Sequence, residues 1–128
     1  LSHFATYECK ASRIDFIQRA LKEMGFNYTG PTTITDYYGQ ERHVELALKK
    51  DDHILPVGWS KNDREGLELQ ADWFGIGMSE ESFTNEIGQL HSKYQVLESC
   101  EDNGWEVDED SITTNQNGEI ELVATQYN

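Results

Sequence analysis

A helical stripe that ends on a glycine, with an aromatic residue directly after it, occurs twice in this chain, and no other sequence feature restricts the possible folds as much. Ile14, Ile17, Leu21 and Met24 recur at steps of 3, 4 and 3, which places them along one face of a helix. Gly25 follows, able to take the left-handed conformation that ends a helix, and then comes Phe26. Phe83, Ile87, Leu90, Tyr94 and Leu97 step by 4, 3, 4 and 3, and Gly104 and Trp105 close that stripe in the same way. Each helix also has a start signal. Ser12 with Asp15 three residues on reads as a capping box, and Ser79 precedes two acids, Glu80 and Glu81, suited to the positive end of a helix. Fourteen residues beyond each stop stands a second glycine, Gly39 or Gly118, opening an alternating strand.

Strands fill the intervals. Residues 3–10 alternate, with Ala5, Tyr7 and Cys9 on one side and Thr6, Glu8 and Lys10 on the other. Two strands are predicted over 27–37 and 41–49, the second with Val44, Leu46 and Leu48 inward. Pro31 weakens the first or moves it to an edge. "HILPVGW" and "LELQADWF" read as a hairpin across the polar loop "SKNDREG", and Asn117-Gly118 predicts a type I′ turn between the last two strands. The predicted class is α+β, one domain over 1–128: an antiparallel or mixed sheet of about seven strands with two helices on one face. Segments of about 1–50 and 66–128 are expected to be one βαββ unit used twice, with 53–60 an added strand. Gly25/Gly104, Thr35/Thr114, Gly39/Gly118 and Val44/Val123 fall at one fixed offset, so 24–48 is expected to superpose on 103–124.

Charge narrows the function classes. The 128 residues carry 24 acids against 10 lysines and arginines, a net charge of −14, and residues 79–110 hold ten of the acids with Lys93 as the one base. Such a surface repels phosphate backbones and anionic headgroups, which argues against nucleic-acid and membrane partners. It suits a solvated face, a basic protein partner, or a mimic that sequesters a nucleic-acid-binding protein. Glu98, Glu101 and Asp102 lie near the end of the second predicted helix, where acids oppose the helix dipole, so they are candidates for steering a basic partner. No apolar run approaches the roughly 18 residues of a membrane helix, and the start shows no secretory pattern, so neither a membrane span nor a secretory signal is expected.

Motifs with chemistry are sparse. There is no P-loop, dinucleotide fingerprint, HExxH, CxxC or EF-hand loop, and the "GIG" at 75–77 leads into the acidic "MSEE", which would repel phosphate. Cys9 and Cys100 make neither a disulfide framework nor a zinc ribbon and read as two buried thiols. A Cys/His nucleophile pair would need an oriented base within hydrogen-bond reach, and nothing in the spacing supplies one. His3, His43 and His53 offer an alternative, a small metal-binding protein or enzyme, although no tight ligand spacing supports it. No metal and no cofactor is expected. If the two helices leave one sheet face uncovered, His3, Trp59 and Asp72 become candidates for a surface patch that binds a partner, beside the acids Glu98, Glu101 and Asp102.

Several stretches together resemble the hypothetical chloroplast reading frame thirty-five family, a domain of unknown function from cyanobacteria and algal plastids. They are Ser2-His3-Phe4, "RALKEMGF", Ala71-Asp72-Trp73, and Lys93-Tyr94-Gln95-Val96 leading to Gly104-Trp105. The resemblance spans nearly the whole chain, with 27–42 and 51–62 less typical and the acidity greater. It implies a protein of the cyanobacterial cytoplasm or plastid stroma, or a viral copy in such a host, with no established catalytic residue. It also suggests company with AAA+ ATPases of the MoxR type, hence a non-enzymatic accessory or adaptor acting by protein binding. Self-association is a further expectation.

Overall fold

The computed structural model describes residues 4–8, 11–64, 66–117 and 119–126. In chain order the elements are β1 (Ala5–Glu8), α1 (Ile14–Glu23), β2 (Asn27–Thr29), β3 (Thr32–Thr35), β4 (Glu41–Val44), β5 (Leu46–Lys50) and β6 (His53–Lys61). Then come β7 (Leu67–Ala71), α2 (Glu80–Asp102), β8 (Trp105–Thr114) and β9 (Ile120–Gln126). The class is α+β with antiparallel pairing throughout the described residues, but the strands form three sheets rather than one.

The main sheet has the order β1-β7-β6-β5-β2. Strand alternation turns Leu46 and Leu48, Val57 and Trp59, and Leu67, Leu69 and Ala71 to one face, where both helices cover them. Phe16, Ile17, Ala20 and Leu21 come from α1, and Phe83, Ile87 and Tyr94 from α2. Removing this apolar surface from water is the main driving force for the fold.

Helix starts differ in how they are satisfied. Ser79 caps α2 as its sequence predicts, its side chain accepting from the Ser82 amide at 3.3 Å. The capping box expected at Ser12 does not form: the N-cap of α1 is Arg13, with no side-chain cap. Instead the Arg13 amide donates to Nε2 of His91 on α2 at 3.1 Å, so a tertiary contact takes the place of a local one. His91 is buried edge-on against Phe16, at a ring separation of 5.4 Å. The same helix pair is tied by the Tyr94 hydroxyl, which donates to Glu23, and by Arg13 bridging Asp15 and Glu98. Burial and the Glu23 carboxylate raise the Tyr94 pKa, and the Tyr94 hydrogen bond in turn lowers that of Glu23.

The other sheet face, expected to be open, is partly covered. The pairing Thr29↔Ala47 continues as Thr32↔Val44 without a change of register, so β2–β3 and β4–β5 are one long hairpin interrupted on both arms. The breaks fall at Gly30-Pro31, where proline removes a ladder donor, and at Glu45. The hairpin bends there, and its far half, the β3–β4 ribbon, lies over β6. Ile34 and Val44 join Phe4 and Ala47 in a second small core on that side. Gly58 marks the contact: a Cβ there would stand 2.7 Å from the Leu46 carbonyl oxygen and 2.9 Å from Val44 Cγ2.

Three hairpins close by one device. The side-chain oxygen of Asp36, Asn62 or Asn115 accepts the amides two and four residues ahead, while that residue's own amide donates to the carbonyl four ahead. The last loop therefore runs from Asn115 to Glu119, a correction to the two-residue Asn117-Gly118 turn; Gly118 itself lies outside the described residues. The helix stops at Gly25 and Gly104 do correspond, with φ of 87° and 77°. The hairpins after them differ, because β8–β9 stays one ribbon, with its register shifting between Asp108 and Thr113, and packs against α2. The Ser111 hydroxyl donates to the Asp108 carbonyl and accepts from the Val123 amide inside that irregularity.

Two outcomes test this account. Gly58→Ala should destabilise by about 1–3 kcal/mol through overpacking between β6 and the folded-back ribbon, measurable by urea denaturation. Burial holds the His91 imidazole below its ordinary value of 6.5, so the neutral ring is the form that folds. Its contribution is intact above the unfolded value and is lost as pH falls through that value toward the lower folded one. Stability should therefore drop on mild acidification, and His91→Gln should show a shallower drop over the same range.

Candidate functional site

Two buried carboxylates organise the end of the molecule where the β3–β4 loop meets the segment after β7. Asp36 accepts from the Tyr38 and Gln40 amides at 3.0 and 2.8 Å and, through its other oxygen, from the Phe4 amide at 3.2 Å. Asp72 accepts from the Tyr37 amide at 3.0 Å and the Phe74 amide at 3.2 Å, while its own amide donates to the Pro56 carbonyl. One carboxylate thus clamps two backbone segments 35 residues apart. Burying a charged group is costly unless it is hydrogen-bonded, and these contacts supply the bonds.

The residues so clamped carry rings that point away from the core. Tyr37, Tyr38 and Phe74 are 68%, 60% and 65% exposed. Tyr37 meets Tyr38 at a ring separation of 5.4 Å and an angle of 85°, and Phe74 at 5.3 Å and 68°. Neighbouring Trp73 turns the other way and packs on Phe83 at 5.5 Å. The result is a contiguous aromatic platform on a fixed base.

From the platform the chain continues through Gly75 and Gly77, both at positive φ (74° and 77°), to an open cleft of about 340 Å³ beside the start of α2. Met24, Phe26, Met78 and Phe83 give it apolar walls, with Ser79, Ser82 and Glu86 at its polar side.

The residues singled out from sequence are dispersed. His3 and Cys9 lie outside the described residues. Trp59 is a core residue, 1% exposed, because alternation along β6 turns it under the helices; its placement on a surface patch is corrected. Asp72 is 3% exposed, so it positions the platform from beneath instead of meeting a partner. Glu98 is engaged by Arg13, while Glu101 and Asp102 are exposed in the last turn of α2. His43 and His53 are exposed on β4 and β6, and among the described residues no group of three or more His, Cys, Asp or Glu side chains is arranged to hold a metal ion. Cys100 is half-buried with a free thiol. Tyr37, Tyr38 and Phe74 were missed. The available signal was the pair of acids flanking them, Asp36 before Tyr37 and Asp72 before Trp73-Phe74.

Fold and platform define a small α+β domain with an exposed aromatic patch. The chain belongs to the family described as protein of unknown function (DUF1257), whose sequence profile matches residues 20–123. It is similar to the "Uncharacterized protein ycf35" of Cyanophora paradoxa, 23% identical over 130 residues that span 99% of this chain and 98% of the relative. No solved structure matches the chain significantly. No helix among the described residues is long and apolar enough to cross a membrane.

The clamp makes a direct prediction. Asp72→Ala should leave the Tyr37 and Phe74 amides without an acceptor, costing about 1–3 kcal/mol. Hydrogen exchange should show those two amides losing protection while the β5–β6 amides keep theirs.

Proposed function

We propose that this domain is a non-enzymatic accessory or adaptor protein that acts by binding another protein, with the Tyr37–Tyr38–Phe74 platform as its recognition surface. The observation that carries the reading is the exposure of three rings whose backbones are fixed by buried Asp36 and Asp72. Exposed rings forgo burial worth about 25 cal/mol per Å² and buried carboxylates add a desolvation cost, so the arrangement works against the stability of the isolated domain. Aromatic anchors are also the residues that dominate binding energy at protein interfaces. The net charge of −14 favours a partner with basic groups, and an AAA+ ATPase of the MoxR type is one candidate. The ycf35 relative supports a setting in the cyanobacterial cytoplasm or plastid stroma. The paired glycine stops and the matching Asp36 and Asn115 loops support reading the two helix–hairpin units as copies of one unit.

The test is a comparison of baits in a cyanobacterial lysate. Wild-type protein should recover a specific partner at stoichiometric yield. Tyr37→Ser with Phe74→Ser should lose it while keeping the wild-type circular dichroism and unfolding midpoint. Glu101→Gln with Asp102→Asn should retain it, with a slower association. Retention by the aromatic variant would sink the assignment of this surface.

A further inference from the structure

We infer that the platform receives a cationic side chain, arginine above all, from a basic segment of the partner protein. This deepens the binding reading above and rests on it. The first support is how the chain treats its own rings. Arg13 lies over Phe16 at 3.9 Å, Arg19 over Tyr94 at 4.3 Å, Arg42 over Phe4 at 5.7 Å and Lys22 over Tyr28 at 5.8 Å. Among the described residues no lysine or arginine lies over Tyr37, Tyr38 or Phe74, the three most exposed tyrosine or phenylalanine rings that the structure describes. Apart from the edge-to-face contacts among the three rings themselves, their exposed faces can take a cation brought from outside.

The second support is electrostatic. A cation is drawn to a ring face by the ring quadrupole, and the attraction grows when negative charge stands close behind the ring. Asp36 and Asp72 supply that charge: both are buried and hydrogen-bonded to the backbone amides of the ring-bearing residues, and among the described residues neither is paired with a lysine or arginine. Arg42, on the strand that follows this loop, is engaged with the Phe4 ring and the Glu41 carbonyl.

The third support comes from the occupants that charge disfavours. A second copy of this chain would bring another −14 to the contact. Single-stranded nucleic acid also stacks on exposed rings, but it needs a basic groove along its phosphates, and the chain carries a net charge of −14. A planar guanidinium both stacks on aromatic faces and carries the complementary charge, which an ammonium does less well.

The experiment uses the whole domain labelled with ¹⁵N and a short peptide of repeated Arg-Gly-Ser, with the same peptide carrying citrulline for arginine as the neutral control. Amide shifts should centre on Tyr37, Tyr38 and Phe74, and the citrulline peptide should bind at least about fivefold more weakly. In Tyr37→Ser with Phe74→Ser that preference should fall to the small difference expected from overall charge, and in Phe74→Tyr it should persist. Equal binding of the two peptides, shifts centred elsewhere, no shifts at all, or an unchanged preference in the serine variant would each overturn the inference. If any of these occurs while the serine variant still loses its protein partner, the docking surface stands and only its preference for a cation is wrong.

Discussion

The carboxylate of Asp72 is the contact on which the arrangement of this surface depends. It sits just past the end of β7, where its amide continues the pairing with β6 through the Pro56 carbonyl. Its oxygens then reach in two directions, to the loop at Tyr37 and to its own next turn at Phe74. The ribbon folded across the sheet is held at one end by packing of Val44 against the Gly58 gap and at the other by this carboxylate. Remove the packing and the ribbon lifts; remove the carboxylate and the ribbon stays while its loop loses orientation. The two contacts divide the labour between stability and display.

A second division runs along α2. Its first turns are anchored by Phe83, Ile87, His91 and Tyr94, and its last turn carries no basic residue. Lys22 occupies the corresponding place at the end of α1, where a cation suits the dipole. The end of α2 instead presents Glu101 and Asp102 and supports the β8–β9 ribbon, itself rich in acids. An isolated two-stranded ribbon is marginal in water, so the α2 contact supports it. The acidic end and the aromatic platform belong to different elements.

Periodic elements were legible in the chain and long-range polar contacts were not. The stripes Ile17–Leu21 and Phe83–Ile87–Tyr94, the stops at Gly25 and Gly104, the Ser79 cap and the β6–β7 hairpin all rest on local rules, and the structure contains each of them. His91 escaped because it interrupts an apolar stripe with a polar residue whose partner, the Arg13 amide, lies 78 residues away. Ser12 misled because the box pattern is local while the cap is tertiary. Pro31 was read as a weak strand or an edge, and the bend it allows became visible only with the unbroken register on both sides. Trp59 and Asp72 sit elsewhere than expected for different reasons: alternation along β6 turns Trp59 under the helices, and the loop of the folded-back ribbon covers Asp72.

The platform's rigidity follows from its residue types and from the carboxylates that hold its backbone. Tyrosine and phenylalanine have few rotatable bonds, so ordering them on binding costs little, and the clamps at Asp36 and Asp72 remove most of the backbone freedom in advance. Had the rings stood on an untethered loop, part of the binding energy would go into fixing the loop. The hydrogen bond from the Phe74 amide to Asp72 fixes the backbone on the platform side of Gly75 and Gly77, whose positive φ carries the chain on to the methionine-lined cleft. Display of the rings is therefore a property of two buried carboxylates and the amides they hold.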